Sequence, residues 1–311
     1  MSELETIRQA LPLVGEEPAV LEDGRIAHVV AHGHRILSRR GIPGLRVDLE
    51  EEADAISGEI VVERGARIAY PIHLCFGLAH RTGLQQIRIT LKLEPDAQAG
   101  VLAHCLFPVA EQAQHLMHAA IEIGEGATLT YTEGHYHGPH GQMRVKPHAV
   151  VHVGPGGKYF SDFSLLTGSV GDLAIDYVVH VARDAVTELT AKVFGRGTDT
   201  IGITESTLLE GEGARGLIKT RVVVQDDARA DITGITEARA RHARGHVDCK
   251  EIIKDRATAS ATPLVRVFHP EAKVTHEAAI GSVDRKELET LMARGLTPDQ
   301  ATELIVSGVL R

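Results

Sequence analysis

Three side chains toward the C-terminal end of this 311-residue chain, Cys249, His276 and Glu277, combine types that bind metals. Thiolates hold iron–sulfur clusters, a His in place of a Cys changes potential and lability, and carboxylates add weaker, exchangeable bonds. A mixed set of this kind suits transient holding of a cluster better than four thiolates do. One chain offers too few such ligands, whereas an isologous two-fold contact presents each of them twice. A cluster-binding, metal-ligating site at a homodimer boundary is therefore the chemical expectation.

Other groups compete with it. The stretch EGHYHGPHG puts His135, His137 and His140 beside Glu133 among glycines and a proline, which reads either as a solvated loop or as a transition-metal site. Cys75 and Cys105 each sit near a histidine, His73 and His104, and read as core thiols or as stations on a sulfur route through the fold. His32 and His34 form a second His-x-His beside Arg39 and Arg40. The string GEGARG from Gly211 precedes an apolar β-branched run and not a helix, so it is a turn; no phosphate-binding G-x-x-x-x-G-K-[ST] occurs, and ATP hydrolysis by this chain is not expected.

The elements that must position these groups show in the spacing of small turn residues. Ala66, Ala97, Ala127, Gly157, Ala185, Ala214, Ala228, Ala257 and Ala272 follow Gly or acidic turn residues at intervals of 31, 30, 30, 28, 29, 14, 29 and 15 residues. A unit near 29, or half of it, holding strand-like runs such as GEIVV, LAIDYVVHVA and LIKTRVVV, is the mark of stacked coils. A parallel β-helix fits best, with an evenly spaced β-sandwich as the competing reading. The gap between 249 and 276 is then about one coil, which sets Cys249 and His276 at similar points on adjacent coils; Cys75 and Cys105 also fall one coil apart. Strict alternation turns Val247 and Cys249 to one side, as it does Val274, His276 and Ala278, so interior packing competes with ligation; Glu277 falls on the opposite face.

Composition bounds the rest. With 43% hydrophobic residues, no Trp and only 4% aromatics, the core must be built from Val, Ile, Leu and Ala. Three cysteines without a CxxC support neither a disulfide framework nor a zinc finger. A net charge of −9 argues against nucleic acid or an anionic membrane as partner. No apolar run reaches membrane-spanning length and the acidic N-terminus is unlike a secretory signal, so a cytoplasmic location is expected. Ser2 with Glu5 opens a short helix before Pro12, placed to cover an open end of the stack. Asp284 with Glu287, and Thr297 with Pro298 and Gln300, open two C-terminal helices separated at Gly295, whose apolar residues serve either the core or a partner. Residues 1–23, 24–281 and 282–311 are read as the N-terminal helical segment, the β-helix and the C-terminal helical segment.

The segments HVDCKEII, AKVTHEAAIG and LETLMARGLTPDQATELIVSGVL resemble the SufB/SufD family of iron–sulfur cluster assembly scaffolds, with a looser likeness from about residue 60 onward. The resemblance implies a right-handed parallel β-helix, and a C-terminal helical segment that binds the ABC-type ATPase SufC. It implies ligand roles for Cys249 and His276 at a subunit boundary, here a homodimer because one chain carries both. Thr275 stands where a Glu is expected, so no role carries over there, nor any lodged in the long N-terminal extension of larger members. The implied function is a non-enzymatic scaffold for transient iron–sulfur clusters, with apo-protein acceptors downstream. A β-helix enzyme acting on carbohydrates or acyl groups, which the scarcity of aromatics disfavours, and a structural module without a cluster are the alternatives.

Overall fold

The computed structural model describes residues 2–138 and 141–310, apart from the Asp299 side chain. Two hairpins begin the stack, β1 (His28–His32) with β2 (Arg35–Arg40), and β3 (Leu45–Glu51) with β4 (Ile56–Val62). Chain-ordered strands then alternate between two sheets: β5 (Ile72–Gly77), β6 (Thr82–Leu93), β7 (Gln98–Phe107), β8 (Gln112–Ile123), β9 (Thr128–His137), β10 (Met143–Val153), β11 (Lys158–Thr167) and β12 (Gly171–Val181). The series continues with β13 (Val186–Gly195), β14 (Thr200–Leu209), β15 (Arg215–Val224), β16 (Arg229–Ala238), β17 (Arg244–Ile253), β18 (Thr258–Val267) and β19 (Lys273–Gly281). Beyond the hairpins every pairing is parallel. Odd strands from β5 onward join β1 and β2 in a ten-stranded sheet; even strands join β3 in a nine-stranded one. This is the parallel β-helix that the spacing predicts.

The ruler residues are its corners. Ala97, Ala127, Ala185, Ala214 and Ala228 are fully buried, each just after a turn containing a positive-φ residue. In the turns Glu94-Pro95-Asp96-Ala97 and Gly124-Glu125-Gly126-Ala127, the fourth amide donates to the first carbonyl and the third residue has positive φ. That is a type II turn, which favours Gly and tolerates Asp in the third place. A small residue must follow, because the two sheets meet there. Between corners, alternate residues point inward and form one continuous apolar core from Ala27 to Ala257.

The two ends of the stack differ. At the first, the edge strands plug each other, the Glu51 carboxylate accepting from the Ile36 amide at 2.7 Å and the Arg39 guanidinium donating to the Leu49 carbonyl at 3.3 Å. The N-terminal helix α1 (Glu3–Ala10), N-capped by Ser2, does not cover that end. Its Ile7, Ala10 and Leu11 pack with Val30, Cys75 and Leu106 on the outer face of the ten-stranded sheet, because those outward positions are apolar and need cover. At the other end β18 and β19 have a strand neighbour on one side only. Two helices follow, α2 (Arg285–Met292), capped by Asp284, and α3 (Pro298–Val309), with a Thr297/Gln300 capping box. Val306 and Leu310 fix α3 to Val223 and Ile252 on the outer face, while Met292 and Leu304 remain exposed. No helix among the described residues is long and apolar enough to cross a membrane.

The corners give a direct check on packing. Ala214→Leu adds three carbons where the sheets converge and is expected to cost about 1–3 kcal/mol. Urea unfolding should show a lower midpoint with unchanged slope, and an unmoved midpoint would mean the corners are loosely filled.

Candidate functional site

Cys249 lies on β17 with its side chain inside the helix, 2% exposed, in register with Thr220 on β15 and Ala278 on β19. It is inward because Gly245, Val247, Cys249 and Glu251 share the buried parity of the strand. Across the interior, Gly234 on β16 leaves it room: a Cβ there would stand 2.8 Å from Val247 Cγ1 and 3.9 Å from the Cys249 sulfur. Burial pushes the thiol up to about 11, with the Glu251 carboxylate adding to the shift. Cys249 is therefore a protonated thiol at neutral pH in this closed arrangement.

His276 shares the inward parity but pairs with Val247, not with Cys249. The coil here measures 29 residues, Arg244 to Lys273, so a gap of 27 leaves His276 two positions short. Two strand residues and one strand spacing separate the backbones by about 8 Å. Cys249 and His276 are thus diagonal neighbours on successive coils, a correction to the expectation of similar points. Because β19 ends the stack, His276 is solvent-exposed despite facing the interior side. Glu277 lies on the outer face as expected, in register with Asp248, whose carboxylate accepts from Arg221 Nη1 at 3.0 Å. Thr275 is paired there too, its hydroxyl 2.8 Å from His246 Nδ1.

Two carboxylates escaped the motif reading. Glu205 on β14 is buried and accepts from the Thr220 hydroxyl at 3.2 Å, which links it to the residue in register with Cys249. Glu251, two positions along from Cys249, is 1% exposed and neither of its oxygens has a hydrogen-bond partner. Burial pushes both carboxyls up to about 7. Their inward parity in TIGITES and VDCKEII was the available signal.

The histidine-rich stretch is not a loop. Glu133, His135 and His137 occupy the last inward positions of β9, buried to 4% exposure or less, while His140 lies outside the described residues. The motif mimics a loop through its Gly and Pro, but the G-H-Y-H alternation continues the strand. His135 is in register with Cys105, and His115 reaches the same spot from β8, its Nε2 3.5 Å from the Cys105 sulfur. Cys75 is in register with His104 instead, so it faces outward under α1 and Cys105 faces inward. A spacing of 30 across this 29-residue coil step puts the two thiols on opposite faces of the sheet, which corrects the expectation of a shared route. Outside, Glu16, His73 and His104 form a second cluster, and Glu3, His32 and His80 a third.

Comparison with known proteins matches this sequence to one family. Residues 76–309 match the domain described as SUF system FeS cluster assembly, SufBD core domain. A SufBD-family iron–sulfur cluster assembly protein of Methanocaldococcus jannaschii is 37% identical over 308 residues, covering 99% of this chain and 98% of that protein. One of Pyrococcus horikoshii is 31% identical over 92% of this chain and 87% of its own length; another from the same organism is 26% identical over 80% and 56%.

The buried carboxyls make stability depend on pH. In the unfolded chain Glu205 loses its proton near 4.5, in the folded chain near 7, so between those values the native state holds a proton that the unfolded state has released. Stability therefore falls as pH rises through that window and levels off above it. Glu205→Gln should remove this residue's share of the slope and leave that of Glu251, adding about 2–3 kcal/mol at pH 8 and nothing at pH 4. Denaturant unfolding at both pH values tests this, and parallel stability profiles for the two proteins would refute it.

Proposed function

Because this chain belongs to the SufBD family of iron–sulfur cluster assembly proteins, we propose that it is a scaffold on which a nascent cluster is built between two copies of the chain. The observation that carries this reading is the position of Cys249, one coil beneath the open end of the stack. There β18 and β19 each lack a neighbour on one side, and Val267, Phe268 and Ile280 expose apolar surface. An unpaired edge with such residues is a template for pairing with another chain. A two-fold contact at this end brings Cys249, His276 and Glu277 of both copies to one boundary and supplies the ligand number a single chain lacks.

Burial dictates the order of events in this reading. A thiol held near 11 is a poor ligand, so Cys249 must be uncovered, or meet a base or a metal, before it binds iron. His276 is already accessible and Glu277 waits on the outer face. Thr220 and Glu205, behind Cys249, form the hydrogen-bonded wall that holds the thiol in place while closed. The energy for opening comes from a separate SufC-like ABC ATPase on the C-terminal segment 282–311. Leu296, Gln300, Glu303, the half-exposed Leu304 and Ser307 line a groove there that the stack does not use, and Met292 is half-exposed on the same segment. ATP-driven closure of two such subunits shifts the β-helix pair between closed and open populations. The cluster is cargo, passed to apo-protein acceptors in the cytoplasm; neither nucleic acid nor membrane takes part.

Anaerobic incubation with iron and sulfide should give wild type a cluster absorption and Mössbauer signature that Cys249→Ala loses by tenfold or more. An undiminished cluster in that variant would sink the assignment. Independently, Phe268→Asp should convert a dimer to a monomer in sedimentation velocity while leaving the circular dichroism spectrum intact; a dimer of unchanged strength places the contact elsewhere.

A further inference from the structure

The interior of the β-helix holds a second concentration of ligand-type side chains, five coil steps or about 24 Å from Cys249. Cys105 on β7, His115 on β8 and His135 on β9 each offer a ligand atom, all within 4.8 Å of one another, and all three are buried. Glu133, 1% exposed, approaches the same point, with Oε1 4.0 Å from the Cys105 sulfur and 2.7 Å from His135 Nε2. Phe107 and Phe163 pack against the imidazoles, with ring centroids 5.1 Å from His115 and 4.8 Å from His135. The walls are apolar and the centre is polar.

Two features point to an ion. A tetrahedral centre with arms of about 2.0–2.3 Å has edges near 3.6 Å, and the Cys105 sulfur to His115 Nε2 separation is 3.5 Å. Glu133 Oε2 is buried without a hydrogen-bond partner, a state that costs a carboxylate several kcal/mol unless something compensates. A divalent cation compensates it directly. One thiolate and one carboxylate cancel its charge, so the loaded centre is neutral, as a site in a dry interior must be. Sulfur, imidazole and carboxylate donors together select a borderline-soft ion of the zinc type over Mg²⁺ or Ca²⁺. Enclosure leaves no open coordination position, the mark of a structural centre.

We propose that Cys105, His115 and His135, with the Glu133 carboxylate swung from its hydrogen bond to His135 onto the ion, form a closed zinc site that ties the two sheets together across the interior. Binding releases the Cys105 proton to solvent and changes no oxidation state. The ion enters as the coils close, since the finished fold offers it no path.

The test uses the full chain carrying Cys249→Ala, which removes the thiol assigned to the cluster and makes the outcome independent of that assignment. After growth with zinc and dialysis against EDTA, elemental analysis should find one zinc per chain. Zinc-edge X-ray absorption should show one sulfur near ~2.3 Å and nitrogen or oxygen near ~2.0–2.1 Å. Adding Cys105→Ser should lower the bound zinc at least tenfold, whereas adding Cys75→Ser should leave it unchanged. Zinc far below one per chain, a spectrum without sulfur, or zinc lost on removing Cys75 instead would overturn the proposal. Should the Cys105→Ser chain fail to fold, the spectrum of the Cys249→Ala parent and the Cys75→Ser control still decide. Failure of cluster reconstitution in the wild-type chain with the zinc centre intact would count against the scaffold reading alone.

Discussion

Everything in this molecule depends on the corner turns, because they set the length of each coil and so decide which residue stacks on which. A parallel ladder tolerates no slip, since a shift by one residue exchanges the inner and outer faces of the strand. The buried alanines at 127, 185, 214 and 228 and the positive-φ residues before them hold coil length between 28 and 30 residues in the central turns. Columns of inward residues result, one per strand position. A reactive side chain on such a column has as neighbours the residues one coil above and below and those facing it across the interior.

The same constraint explains what sequence could and could not reveal. Turn residues are local signals, so the repeat, the capped terminal helices and the all-β class were legible. Register is a difference between two coil lengths, and an error of two residues in a count of 29 moves His276 from Cys249 to Val247. An error of one moves Cys75 from beside Cys105 to the opposite face. Glu205 and Glu251 carry no motif, being single carboxylates in β-branched runs, and only their parity marks them as interior. For the site residues named from the chain, what was missing was the three-dimensional ruler. The family to which the chain belongs was legible from HVDCKEII and AKVTHEAAIG because short segments preserve side-chain identity where the long repeat blurs it.

Placing ionisable groups in the bore of a β-helix carries a thermodynamic cost. The thiols of Cys105 and Cys249 and the carboxyls of Glu205 and Glu251 are all displaced toward their neutral forms by burial. A protein selected for stability alone would fill those positions with Val or Leu, as most columns do. In the proposed readings the neutral state of Cys105 ends when an ion binds, and that of Cys249 when the stack opens.

The two ends of the stack are chemically unlike. One has an edge amide engaged by Glu51 and an edge carbonyl by Arg39, and its edge strands are dense with charge. The other is bare. A rod with two bare ends would add copies indefinitely and grow into a fibre, whereas a rod with one can join a single companion about a two-fold axis and then has nothing left to offer. In the proposed two-fold pairing the Glu51 and Arg39 hydrogen bonds, minor in energy, act as a chain terminator at the end that the pairing does not use.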